Sequence, residues 1–178
     1  MFSAGDTIIY ENYGVCRITG TREMEIGHAV RPYYELKPVF DKNLTFYLPI
    51  GQEKIEAKMH PTLSVEEIYA LIQTMPDEDT IWIDNETKRK EQYKQILAGN
   101  DRPALVKLIK TLYLRQKDLS QTGKKLYVSD ERFLRDAEKV LYDEFAYVLD
   151  IKQEEVLPFI HGHIQTGIDN LKEEAAIE

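Results

Sequence analysis

The sequence has one cysteine, one tryptophan and no apolar run approaching the ~18 residues that a membrane-spanning helix needs. A single thiol, Cys16, excludes an internal disulfide. The N-terminus lacks a basic segment followed by an apolar stretch and a small-residue cleavage site. Both features point to the cytoplasm. Also missing is the phosphate-cradling pattern of Gly, four residues, Gly, Lys and Ser or Thr, and no glycine fingerprint opens a helix after a strand. Nucleotide hydrolysis is therefore not expected. Carboxylates abound, yet no pair is set in an apolar run that would raise a pKa for acid–base work. His161 and His163, two apart, point in different directions on a helix, a poor arrangement for a metal. Cys16, in a strand-like segment, reads as a small buried hydrophobe rather than a nucleophile. The expectation is a non-enzyme without metal or cofactor.

What is present is acid: 31 Asp and Glu against 23 Lys and Arg, a net charge of −8 over 178 residues. Taken whole, that argues against a nucleic-acid partner, because affinity for phosphate rests on Lys and Arg. The distribution changes the picture. Residues 61–84 hold six acidic side chains and no basic one, whereas residues 85–125 hold 11 basic and 4 acidic, a local +7. The remainder of the chain is thus at −15. At physiological salt, charges beyond ~8 Å are largely screened from one another, so the island acts as a local field.

The order of elements follows from the pattern. TIIY at 7–10, GVCRIT at 14–19, RPYYELKPVF at 31–40 and LTFYLPI at 44–50 are β-branched and aromatic, with turn-like segments between them. Four or five short antiparallel strands predict a small bent sheet or open barrel, with Pro32 and Pro49 at strand ends or on an edge. From Ser64 the period becomes helical, beginning with the capping-box pattern SVEE. Helices are expected over about 65–74, about 85–98 (N-cap Asp84 or Asn85, stop Gly99), from Asp101, from Ser129 or Asp130, and over about 152–161. The acidic end after Gly167 reads as a frayed tail. The fold class is α+β: residues 1–62 a β module, 63–165 a helical bundle, 166–178 the tail. Trp82, beside the basic stretch, is either a core anchor or an apolar wedge of the kind that minor-groove proteins insert between base steps. Sequence alone favours the core.

GDTIIY at 5–10, YGVCRI at 13–18, YYELK at 33–37 and LTFYLPI at 44–50 resemble the N-terminal domain of the CarD/CdnL family of bacterial transcription regulators. KQILAGND at 94–101, LVKLIKTLYLRQKDLS and AEKVLYDEF at 137–145 resemble the family's helical domain. The resemblance spans about residues 2–150. It implies a Tudor-like module, shared with transcription-repair coupling factors, that docks on the RNA polymerase β subunit through Arg22, Phe46, Tyr47 and Pro49; Tyr47 stands where some members have arginine. It further implies a helical domain touching promoter DNA at the upstream edge of the bubble and stabilising the open complex. The residues it implies there are Trp82 or Asn85 at the position of a wedging tryptophan, with Lys88, Arg89, Lys90, Lys94, Lys124 and Lys125 on phosphates. Such contact should be weak and sequence-tolerant, with specificity supplied by the tether to polymerase in the nucleoid. The alternative is a protein–protein adaptor that uses the β module alone.

Overall fold

Alternation of apolar residues builds the first unit. The computed structural model describes the backbone of residues 2–27, 29–41 and 43–175. Strands β1 (Thr7–Tyr10), β2 (Val15–Ile26), β3 (Ala29–Pro38), β4 (Phe46–Pro49) and β5 (Met59–Pro61) pair antiparallel in the order β4-β3-β2-β1-β5. A single 3-10 turn, Glu11–Tyr13, joins β1 to β2, and a one-turn helix, α1 (Glu53–Glu56), precedes β5. The sheet is open rather than closed into a barrel, with β4 and β5 as its two edges. Ile8, Tyr10, Cys16, Ile18, Tyr34, Leu36, Leu48 and Met59 cluster on one face, the period-two set that a half-buried strand requires. Strand β2 runs seven residues beyond the expected segment because it zips against β3 into a long hairpin, interrupted by a bulge between Ile18 and Gly20. Pro49 lies on the edge strand, and Pro32 lies just past the residues of β3 that pair with β4.

Helices then follow from their caps. In α2 (Val65–Thr74), Ser64 and Glu67 form the capping box in both directions. Asn85 caps α3 (Glu86–Ala98) and Asp101 caps α4 (Arg102–Gln121), each accepting from a backbone N–H three residues on. Gly99 ends α3 with right-handed φ; the left-handed residue is the next, Asn100. Helix α5 (Val128–Leu149) starts at Val128, one residue before Ser129, the earlier of the two expected starts; Asp130, the other, lies inside the first turn and is buried in an ion pair. The last helix, α6, is Gln153–Ala175, so the segment read as a tail is helical through Ala175. Among the described residues, no helix is long and apolar enough to cross a membrane.

Helices α4 and α5 lie between two apolar clusters, one shared with α2 and α6, the other with α3. Short connections make α3, α4 and α5 antiparallel neighbours. The N-termini of α3 and α5 and the C-terminus of α4 therefore meet at one end of the bundle, while the β module is docked at the other.

Candidate functional site

The basic end of the bundle is organised by Arg89. Its side chain is 1% exposed and pairs with both oxygens of Asp130, Nε to Oδ1 at 3.2 Å and Nη2 to Oδ2 at 3.0 Å, tying α3 to α5. Its Nη1 donates to the carbonyls of Ile83 (2.7 Å) and Asp84 (3.3 Å), and Thr111 Oγ1 accepts from Ile81 N at 2.9 Å. The loop that carries Trp82 is thus fastened at both ends. The indole is half-buried, donates from Nε1 to Asp84 Oδ1 at 2.9 Å, and has the Arg89 and Arg115 guanidinium carbons 4.3 and 4.8 Å from its centroid. Trp82 is therefore a rim residue of the bundle, partly packed and partly presented.

Of the cations grouped by sequence, Arg89 is withdrawn: a guanidinium sealed by a buried carboxylate cannot meet a phosphate. Its apolar surroundings include Tyr93, whose hydroxyl is buried without a hydrogen-bond partner and whose pKa burial pushes up to about 12. Asn85 spends its side-chain oxygen on the α3 cap. Lys90 pairs with Glu86 one turn earlier at 2.5 Å, a surface contact of small worth. Lys107 pairs with Glu78, and Lys110 donates to the carbonyls of Pro76 (2.7 Å) and Glu78 (2.6 Å), holding the end of α2. Among the described residues, Lys88, Lys94, Arg115, Lys117, Lys124 and Lys125 have no carboxylate within 4.0 Å. Lys124 and Lys125 are brought beside the end of α4 by a Schellman turn, in which Gly123 N donates to Ser120 O and Lys124 N to Leu119 O. The +7 stretch thus presents fewer free cations than its count suggests, and they gather where three helix ends meet. Lys94 stands apart, on a groove of about 690 Å³ between α3 and α5 with Lys90 and Arg132.

On the sheet, the register Arg22–Tyr33–Pro49 puts these three on the face opposite the core, with Glu35 and Tyr47 one pair along. The Arg22 guanidinium lies 5.9 Å from the Tyr47 ring centroid. Phe46 points the other way, its ring 5.7 Å from Tyr10 and 4.9 Å from Tyr13, so it belongs to the core side rather than to the Arg22 surface. This surface ends at β4, whose outer edge has no strand partner among the described residues. Residues 2–63 match the family model of the CarD-like/TRCF RID domain. The N-terminal unit is a RID domain. No curated protein matches the chain.

Polar contacts register the RID domain on the bundle, beside Ile9 and Val15, which are buried on the sheet face opposite its core, the face that carries Thr7. Glu144 accepts from Leu63 N at 2.8 Å and from Arg102 Nε and Nη2 at 3.0 and 2.8 Å; Arg102 also donates to the carbonyls of Asn100 and Pro61. Thr7 Oγ1 and Tyr147 OH are 2.9 Å apart, and this bond, with one from Arg17, holds the Tyr147 hydroxyl below its usual pKa. Gly14 (φ 72°) sits where an added Cβ would be 3.4 Å from Asp143 Oδ2, so the RID backbone also comes close to α5 there. Sequence reasoning counted Arg102 and Arg115 only as charge. The signal available for Arg102 was its place directly after a helix cap in a stretch otherwise rich in lysine, the position from which a planar fork bonds a carboxylate bidentately. Among the described residues, no group of three or more His, Cys, Asp or Glu could hold a metal ion.

Proposed function

We propose that this protein is a non-enzymatic transcription regulator that bridges RNA polymerase and promoter DNA. The RID match carries the proposal. Its Arg22, Tyr47 and Pro49 face, with the free edge of β4, serves the polymerase β subunit, by side-chain anchoring and main-chain pairing. The bundle end bearing Trp82, Lys88, Arg115, Lys124 and Lys125 meets duplex DNA near the upstream edge of the bubble and lengthens the life of the open complex. The absence of neutralising partners for these cations supports that half, since phosphates are held by charge that the protein has not already satisfied.

Two measurements on the full chain test it. Arg22→Glu should abolish pull-down of the β subunit; unchanged pull-down would remove that face from the proposal. Lys88→Glu with Lys125→Glu should shorten open-complex lifetime and flatten the dependence of log affinity on log salt, which falls by roughly 0.9 per phosphate contact. A lifetime insensitive to both would leave an adaptor that uses the RID domain alone.

A further inference from the structure

At the α4–α5 turn is a cleft of about 480 Å³, within the range of ~300–1,000 Å³ typical of small-ligand sites. Lys117, Lys124 and Lys125 line it, together with Gln116, Glu131 and the ring of Tyr113. None of the three lysines has a carboxylate within 4.0 Å among the described residues, and 53% of the tyrosine is exposed. Buried Leu126 closes the floor, and the Schellman turn at Gly123 fixes the distance between the lysines and α4.

We infer that this cleft seats an unpaired nucleotide of a single DNA strand, base on Tyr113 and phosphate on Lys117, Lys124 and Lys125. A duplex hides the faces of its bases in the stack and is too wide for such a cleft. An unpaired base offers a π-face, and the combination of a cationic track with an exposed aromatic ring is how non-specific single-strand binders hold their ligand. Glu131, the one carboxylate of the lining, repels phosphate from its side of the cleft and accepts from the exocyclic amine of a base, as acidic side chains do from cytosine N4. Lys124 and Lys125 line the cleft and also belong to the duplex surface proposed above, so the single-strand seat adjoins that surface. The inference deepens the DNA reading above and relies on it for where the strand comes from.

The test is fluorescence anisotropy with the full chain, a short labelled cytidine-rich single strand and a duplex of the same length at low salt. Tyr113→Leu, which keeps an apolar group on the helix, should weaken single-strand binding about tenfold, the loss of one stacked base, and leave duplex binding unchanged. Tyr113→Phe should restore it. Equal loss on strand and duplex, or none on either, would overturn the assignment. So would competition by free deoxycytidine monophosphate as strong as that of the strand, which would mark a mononucleotide pocket. Single-strand binding without duplex binding would support the cleft while removing the proposed duplex contact.

Discussion

Arg89 is the largest fully buried side chain among the described residues, and it lies in the stretch that looks most basic in the sequence. Removing one partner of a buried pair leaves the other charge uncompensated, which costs about 3–5 kcal/mol. Arg89→Met should therefore destabilise the protein by that amount in urea titrations, and Arg89→Met with Asp130→Leu should recover most of it. A single variant within 1 kcal/mol of wild type would show the pair to be dispensable. His60, in β5, bears on pH. Burial, and then the charge of Arg102, hold its pKa below the ordinary 6.5. The unfolded chain binds its proton first, so stability is intact above pH 6.5 and falls as the pH drops below it. Glu138 and Asp143, raised by burial, act in the opposite sense, so the comparison must be differential. Between pH ~7.5 and ~5.5, the melting temperature of His60→Asn relative to wild type should rise; a constant difference would exclude His60 as a source of the acid sensitivity.

Elements were legible wherever a local rule decided them. Ser64 and Glu67, Asn85 and Asp101 announce their helices because a cap is a contact over three residues, and the structure makes all three. Strand β1 was legible from TIIY alone. Strand β5 and helix α1 were not, since three or four residues give no period to read; β5 exists because β1 offers it an edge. The true length of β2 depends on β3, and the fate of Asp130 depends on Arg89, 41 residues earlier in the chain. For the same reason the candidate site was half legible: sequence places the cations, but only packing shows which are consumed. The turn that delivers Lys124 and Lys125 is testable by itself. Gly123 has φ +70° and open space where a Cβ would stand, so Gly123→Ala suffers no clash and only the left-handed backbone cost, about 1–2 kcal/mol. Thermal melts should show that loss, with Gly123→Asn losing less; equal stability of all three would mean the turn readily adopts another conformation.

At the scale of the molecule, a bridging function needs the distance between its two surfaces to be fixed. The junction supplies that: Pro61 and Leu63, the last residues of the RID match, are hydrogen-bonded to Arg102 and Glu144, a pair 9% and 1% exposed. Tyr147 on Thr7 and the close approach at Gly14 add two further points of registration. Polar junctions of this kind are directional, whereas an apolar one tolerates sliding. Glu144→Gln keeps the shape but leaves Arg102 buried without its counter-charge, and should loosen the docking of one unit on the other. Spin labels at Ile26→Cys, on the hairpin tip, and Lys124→Cys, on the basic turn, would measure it. The native thiol does not interfere, because Cys16 is fully buried with its pKa pushed up to about 12. Wild type should give one narrow distance distribution and Glu144→Gln a broad one. If the bridging proposal holds, the variant should still pull down the polymerase β subunit while the open-complex lifetime falls toward that without the protein. A narrow distribution in the variant would show that the Tyr147 and Gly14 contacts suffice, and a broad one with an undiminished lifetime would show that the bridge works without a fixed span.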